Sequence, residues 1–217
     1  MNLKRKQPKT STVLLFSLIV FIVGIYLVSY NYLVGKKDKV YSSMNLLLYE
    51  DETPKNLESK DSLKVEEEEI DPNTNEKIKI SYSYIGTLEI PKLKLNKGFL
   101  NLESPYNNVD RNVTVIKYST FPDEENSNLI LAAHSGDCAI CFFDKLYKLS
   151  LKDKAIIDYK GYKYAYILKD IYNVKKTGKV EIRRNKKKTV LTLITCTHNS
   201  DTEQTVYIFE LDKKDKK

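Results

Sequence analysis

The chain holds three cysteines and two histidines, few enough that every possible thiol–imidazole pair can be weighed. Cys196 ends the run Thr189-Val190-Leu191-Thr192-Leu193-Ile194-Thr195-Cys196, and the polar segment Thr197-His198-Asn199-Ser200-Asp201 follows at once. β-Branched and apolar residues in succession read as a strand, a rigid element that holds a side chain at its mouth while leaving it open to solvent. A thiol so placed suits a nucleophile; the plainer alternative is a buried structural cysteine.

A nucleophilic thiol needs a base or a nearby cation, because free cysteine, with a pKa of about 8.5, is only a few per cent ionised at neutral pH. His134 follows a second apolar run, Asn128-Leu129-Ile130-Leu131-Ala132-Ala133, and precedes the turn Ser135-Gly136. Two such strands side by side would bring imidazole and thiol together. His198 is the rival, but Asn199-Ser200-Asp201 ends the strand before it, and placement favours His134.

The odd cysteine count leaves at least one thiol unpaired or paired with another molecule, and the arithmetic permits that one to be Cys196. Cys138-Ala139-Ile140-Cys141 lies just after His134 and has three readings. It is a pair of ordinary loop cysteines or a local disulfide. It supplies a thiol that pairs with Cys196 and switches it off. Or it joins His134 and Cys196 in a Cys₃His zinc site, which would consume both catalytic groups.

The elements that must position these residues are short strands. Residues 85–90 read as a strand stopped by Pro91, and 128–133, 155–159, 162–168, 189–196 and 205–211 read as others, with a Lys160-Gly161 turn making a hairpin. One helix is predicted over 142–149, where Phe142, Leu146 and Leu149 fall on one face. Many strands and few helices predict a mostly β fold, a closed antiparallel barrel or a sandwich.

Ahead of this domain, no charged residue occurs between Thr10 and Gly35, and residues 13–34 are almost wholly apolar. As a helix that core would be about 33 Å long, enough for a hydrocarbon layer of about 30 Å. It exceeds the h-region of a signal peptide and lacks a good cleavage site. The expected organisation is a cytoplasmic arm over 1–11, a transmembrane anchor over 12–35, an extracellular stalk over 36–80 and a catalytic domain over 81–217. The stalk carries the acidic block Glu66–Glu69 and the turn-rich 71–75, neither of which builds a core. Basic residues flank the anchor on both sides, so the positive-inside rule favours a cytoplasmic N-terminus only weakly; the short arm points the same way. The protein is then a single-pass cell-membrane protein with its catalytic domain outside. The net charge of +7 sits on the anchor flanks, the C-terminal tail and the Lys186-Lys187-Lys188 cluster. That distribution excludes a continuous nucleic-acid groove.

Leu-Ala-Ala-His-Ser-Gly (131–136), followed about sixty residues later by Thr-Leu-Ile-Thr-Cys (192–196), resembles the sortase family of cysteine transpeptidases of Gram-positive bacteria. Ile-Gly-Thr-Leu-Glu-Ile-Pro (85–91) and Leu-Tyr-Lys-Leu-Ser-Leu-Lys-Asp (146–153) extend the likeness over most of 82–211. The resemblance implies an eight-stranded barrel in which Cys196 attacks the threonine carbonyl of a Leu-Pro-x-Thr-Gly-like sorting motif on a secreted surface protein. A thioacyl intermediate is then resolved by an amine of a peptidoglycan precursor or a pilin, with His134 as general acid and base. No cofactor and no metal are expected.

Sortases also carry an arginine on the strand after the cysteine, and this chain has none beyond Arg184. Gln204 falls roughly where that arginine belongs and offers a neutral oxyanion donor. Arg183 and Arg184, in the loop before the cysteine strand, are the other candidates. Three alternatives stay open: a related thiol hydrolase without transfer, an inactive barrel that binds sorting peptides, which the missing arginine keeps in play, and a metal- or redox-sensing surface module built on Cys138, Cys141, Cys196 and His134.

Overall fold

The computed structural model describes residues 10–51, 66–70, 77–81 and 83–217. Its elements are α1 (Thr10–Asp51), β1 (Glu66–Ile70), β2 (Lys77–Ser81), β3 (Gly86–Ile90), β4 (Leu95–Phe99), β5 (Thr114–Val115), β6 (Asn128–Ala132), β7 (Lys154–Tyr159), β8 (Tyr162–Lys175), β9 (Val190–Cys196) and β10 (Glu203–Lys216), with 3₁₀ turns at Pro91–Leu93 and Leu146–Lys148. Residues up to Lys37 and those from Asp38 onward form two separate compact units.

In the first unit, the apolar side chains of α1 from Leu14 to Tyr30 are 50–73% exposed. Among the described residues, no helix is long and apolar enough to cross a membrane, so the structure does not itself show the expected anchor. α1 also continues beyond residue 35 to Asp51, into the expected stalk. Within the second unit, Leu46 and Tyr49 pack against the buried cluster of Tyr84, Leu100 and Tyr106. Further along, β1 and β2 form a two-stranded antiparallel pair. Residues 1–9 of the expected arm, and 52–65, 71–76 and 82, lie outside the described residues.

The eight strands from β3 to β10 form one sheet in the order β4-β3-β7-β8-β10-β9-β6-β5. Its two edge strands meet through a parallel bridge between Phe99 and Val113, which makes the barrel nearly closed. The expectation of an antiparallel barrel needs correcting at one place: β6 and β9 run parallel. A parallel neighbour requires a long crossover rather than a hairpin, and here residues 133–189 supply it.

Alternation along the strands sorts side chains to two faces. Leu129, Leu131, Leu191, Leu193 and Phe209 join Leu88, Phe99, Tyr164 and Tyr166 in the barrel interior. Ile130, Val190, Ile194, Val206 and Ile208 face outward but are buried too, with Tyr172, Val174, Val180 and Ile182 packed over them. The β8–β9 connection thus roofs this part of the barrel wall. Cover on both faces explains why β9 is apolar almost throughout, and why only Cys196 at its end escapes full burial.

The predicted helix over 142–149 does not form. The chain there runs through turns that end in the 3₁₀ turn Leu146–Lys148. Phe142, Phe143, Leu146 and Leu149 are all buried, and the Phe143 N–H donates to the His134 carbonyl at 3.0 Å. That bond removes a donor from any helical ladder. The apolar spacing was real, but it serves a segment wrapped onto the core beneath His134.

Candidate active site

The parallel pairing of β6 and β9 places Ala132 beside Ile194. Continued by two residues, the same register aligns His134 with Cys196. Parallel strands lie about 4.8 Å apart, so imidazole and thiol leave the sheet as neighbours. Three further bonds hold the two chain ends together past the last ladder pair. The Ala133 N–H donates to the Ile194 carbonyl at 3.4 Å, Thr195 Oγ1 donates to the Ala133 carbonyl at 2.8 Å, and Ser135 Oγ donates to the Cys196 carbonyl at 2.8 Å. Lower down, the buried hydroxyl of Thr192 donates to Asn128 Oδ1 at 2.8 Å. A buried polar pair of this kind fixes register, since a slip would orphan both groups.

Gln204 stands directly opposite Cys196 in the antiparallel pairing of β9 with β10, and opposed residues share a face. The same outward face carries Ile194, Val206 and Val174. Arg183 and Arg184 are engaged elsewhere. The Arg183 guanidinium lies 4.9 Å from the Tyr172 ring centre and 3.9 Å from Glu181, while Arg184 Nη1 donates to the Asn126 carbonyl at 2.9 Å.

The cation at the thiol is instead Lys176, whose Nζ lies 3.7 Å from Cys196 Sγ. Its backbone N–H donates to the Thr202 carbonyl at 2.8 Å, which extends the β8–β10 pairing by one step and anchors the base of the side chain. Sequence reasoning missed Lys176 because it stops the strand at residue 168. The hairpin partner actually runs to Lys175, and only that length carries Lys176 to the mouth of β9. Tyr172 and Val174, two residues apart and both packed on the outer face, were the available signal.

Asp110 was missed as well. Its Oδ1 lies 2.9 Å from His134 Nε2. An ionised carboxylate can only accept, so Nε2 carries the hydrogen in this pair and Nδ1 is left for another partner. Nothing in the turn-rich segment around Asp110 marks it as near His134, a residue 24 positions away. The rival His198 is stacked on Tyr147, with ring centres 4.0 Å apart, which occupies one face of its ring.

Cys138 and Cys141 form a disulfide, and Cys196 is the free cysteine. The disulfide takes two thiolates from the zinc reading, and among the described residues no cluster of His, Cys, Asp and Glu could hold a metal ion. Cys141 Sγ lies 3.4 Å from the Ser135 carbonyl oxygen; a bonded sulfur carries no hydrogen, so this is a packing contact. Gly136, between them, has φ +120°, a conformation that L residues rarely adopt. Disulfide, glycine turn and the Phe143-to-His134 hydrogen bond together define the loop that carries the imidazole.

Across the site, Tyr172 pins the β8–β9 connection. Its hydroxyl donates to the Glu181 carbonyl at 2.8 Å and accepts from the Arg183 N–H at 2.8 Å. Burial pushes this phenol above its ordinary pKa, against the opposing pull of Arg183, so it stays neutral and able to donate.

A free thiol, an imidazole on the adjacent strand end, an amide opposite and an ammonium in contact form a constellation suited to acyl transfer. Residues 88–211 match the model of the Sortase domain. The fold is similar to those of several solved sortases. Listeria monocytogenes sortase A is 23% identical, with a TM-score of 0.52, over 62% of this chain and 90% of that one. Streptococcus agalactiae sortase C1 is 23% identical, with a TM-score of 0.53, over 61% and 69%. A Clostridium perfringens sortase D5 transpeptidase is 18% identical, with a TM-score of 0.51, over 60% and 80%. No curated protein matches the chain. With that domain over more than half its length, on a nearly closed eight-stranded barrel of the same type, the chain belongs to the sortase family of cysteine transpeptidases.

Proposed function

We propose that this protein cleaves a Leu-Pro-x-Thr-Gly-like sorting motif near the C-terminus of secreted proteins and transfers the acyl part to an amine of a peptidoglycan precursor or a pilin. Cys196 is the nucleophile, His134 the general acid and base, and Gln204 a donor to the oxyanion. The observation that supports the reading is the β6–β9 register, which, continued two residues past Ala132–Ile194, brings His134 beside the free thiol of Cys196.

In the first half-reaction, the Cys196 thiol gives its proton to His134, the sulfur forms a bond to the threonine carbonyl carbon, and the carbonyl electron pair moves onto oxygen. The intermediate collapses, the C–N bond breaks, and the imidazolium of His134 protonates the departing glycine amine. In the second, neutral His134 takes a proton from the incoming amine as it attacks the thioester, and the thiolate leaves. Dividing one hard acyl transfer into two steps lowers each barrier.

Residues 12–35 act as a membrane anchor with the N-terminal arm inside and the catalytic domain outside, residues 36–80 serving as the spacer. The exposed apolar side chains between Leu14 and Tyr30 support this, since water is a poor solvent for such a surface. The test is a library of sorting-motif peptides cleaved with and without added amines. Motif-dependent cleavage and amine-dependent ligation are expected; cleavage that never yields ligated product would make the protein a hydrolase.

A further inference from the structure

We propose that Lys176 is a catalytic residue that supplies the positive charge at the nucleophile, first against the anionic sulfur of Cys196 and then against the oxyanion of the tetrahedral intermediate. The inference rests on the acyl-transfer reading of Cys196.

Three observations converge on it. Nζ of Lys176 lies 3.7 Å from Cys196 Sγ, and Lys176 makes no ion pair with a carboxylate among the described residues, so its charge is not spent elsewhere. No arginine occurs in the chain beyond Arg184, and the contacts of Arg183 and Arg184 are with Tyr172, Glu181, Asn126 and Lys188. Gln204, opposite Cys196, donates a hydrogen bond but carries no charge. The outward face of the β8–β10–β9 wall therefore divides between two residues the charge and the directed N–H that one guanidinium could provide alone.

The chemistry is balanced without any further reactant. The sulfur is already touched by the ammonium when its lone pair adds to the carbonyl carbon. The new oxyanion lies two bonds from that sulfur, attached to the carbon the sulfur has just joined. The four-carbon lysine stem, anchored by the Lys176 N–H to the Thr202 carbonyl, lets the ammonium follow the negative charge from sulfur to oxygen. On collapse the charge returns through the carbonyl to the leaving amine, which His134 protonates. Lys176 gains and loses no proton.

The test compares Lys176→Ala and Lys176→Arg in the full chain with two readouts. One is the rate at which iodoacetamide alkylates Cys196, the free cysteine, at fixed neutral pH without any peptide. The other is kcat and KM for sorting-peptide cleavage. Lys176→Ala should slow alkylation several-fold and lower kcat by about 100-fold, the low end for loss of one oxyanion donor, with little change in KM. Lys176→Arg should restore most of both. A loss in either readout that arginine restores supports the assignment; no loss, or a loss arginine does not restore, overturns it. Should the wild-type protein cleave no peptide, the proposed reaction fails, and the alkylation rates alone still decide the role of Lys176.

Discussion

Gln204 and Cys196 are a directly opposed pair in the antiparallel ladder between β9 and β10, so the amide and the thiol rise from the same face of the barrel wall. The pairing leaves the amide within reach of an oxygen attached to a carbon that the sulfur attacks. Gln204→Ala should lower kcat about 10- to 100-fold, at or below the range for one oxyanion donor because Lys176 shares the task. Gln204→Glu should be at least as damaging, since it places like charge beside the oxyanion. Unchanged turnover in Gln204→Ala would remove this residue from the mechanism.

His134 and His198 separate cleanly by substitution. His134→Ala should cost about 10²- to 10⁴-fold in kcat, the usual contribution of a general acid–base group. His198→Ala loses only the stack on Tyr147 and should stay within a few-fold of wild type. Steady-state cleavage rates check both, and the reverse pattern would transfer the role to His198.

Asp110, 2.9 Å from His134 Nε2, is expected to act by positioning the imidazole. Asp110→Asn keeps a hydrogen-bond acceptor for His134 Nε2 but loses the charge, and both partners are substantially exposed. A kcat loss of about tenfold or less is expected, with KM unchanged and a smaller loss than in Asp110→Ala. A change confined to KM would mean that Asp110 contacts the substrate instead.

The Cys138–Cys141 disulfide closes a loop too short to constrain the unfolded chain much; the entropic estimate is about 2 kcal/mol at most. Its position beside Ser135 and Gly136 gives it more influence on His134 than on global stability. A Cys138→Ser/Cys141→Ser double variant should therefore melt only a few degrees lower, yet lose a larger share of kcat. Thermal melts and kinetics on the same preparation check this, and a large melting shift with intact kcat would reverse the assignment.

Tyr172 ties the β8–β9 connection to the wall through two hydrogen bonds. Tyr172→Phe should cost about 1–2 kcal/mol in stability, at roughly 1 kcal/mol net per hydrogen bond. It should raise KM with kcat largely preserved, because the connection beside Cys196 loosens while Cys196 and His134 keep their register. Chemical denaturation and peptide kinetics measure the two effects.

The strand ends that carry Cys196 and His134 were legible in the sequence because β9 is buried on both faces and β6 nearly so, which writes their burial as continuous apolar runs. The residues around them were less so. Lys176 and Asp110 reach the site only through the length of β8 and the path of a long loop, and neither is set by local propensity. Strand β5, two residues long, carries too few residues for an alternation to show. The segment 142–149 shows the opposite failure: its apolar spacing follows the curve of the core beneath His134, and a helix of the same period would look identical in sequence.

Cys196 is expected to form a covalent thioacyl adduct with the acyl half of a sorting peptide. Intact-protein mass spectrometry after mixing with such a peptide, without added amine, measures it directly. A mass increase equal to the acyl fragment is expected, mapped to Cys196, absent in Cys196→Ala and discharged by an added amine. A protein that binds the peptide yet gains no mass, or gains it equally in Cys196→Ala, would contradict covalent catalysis by Cys196.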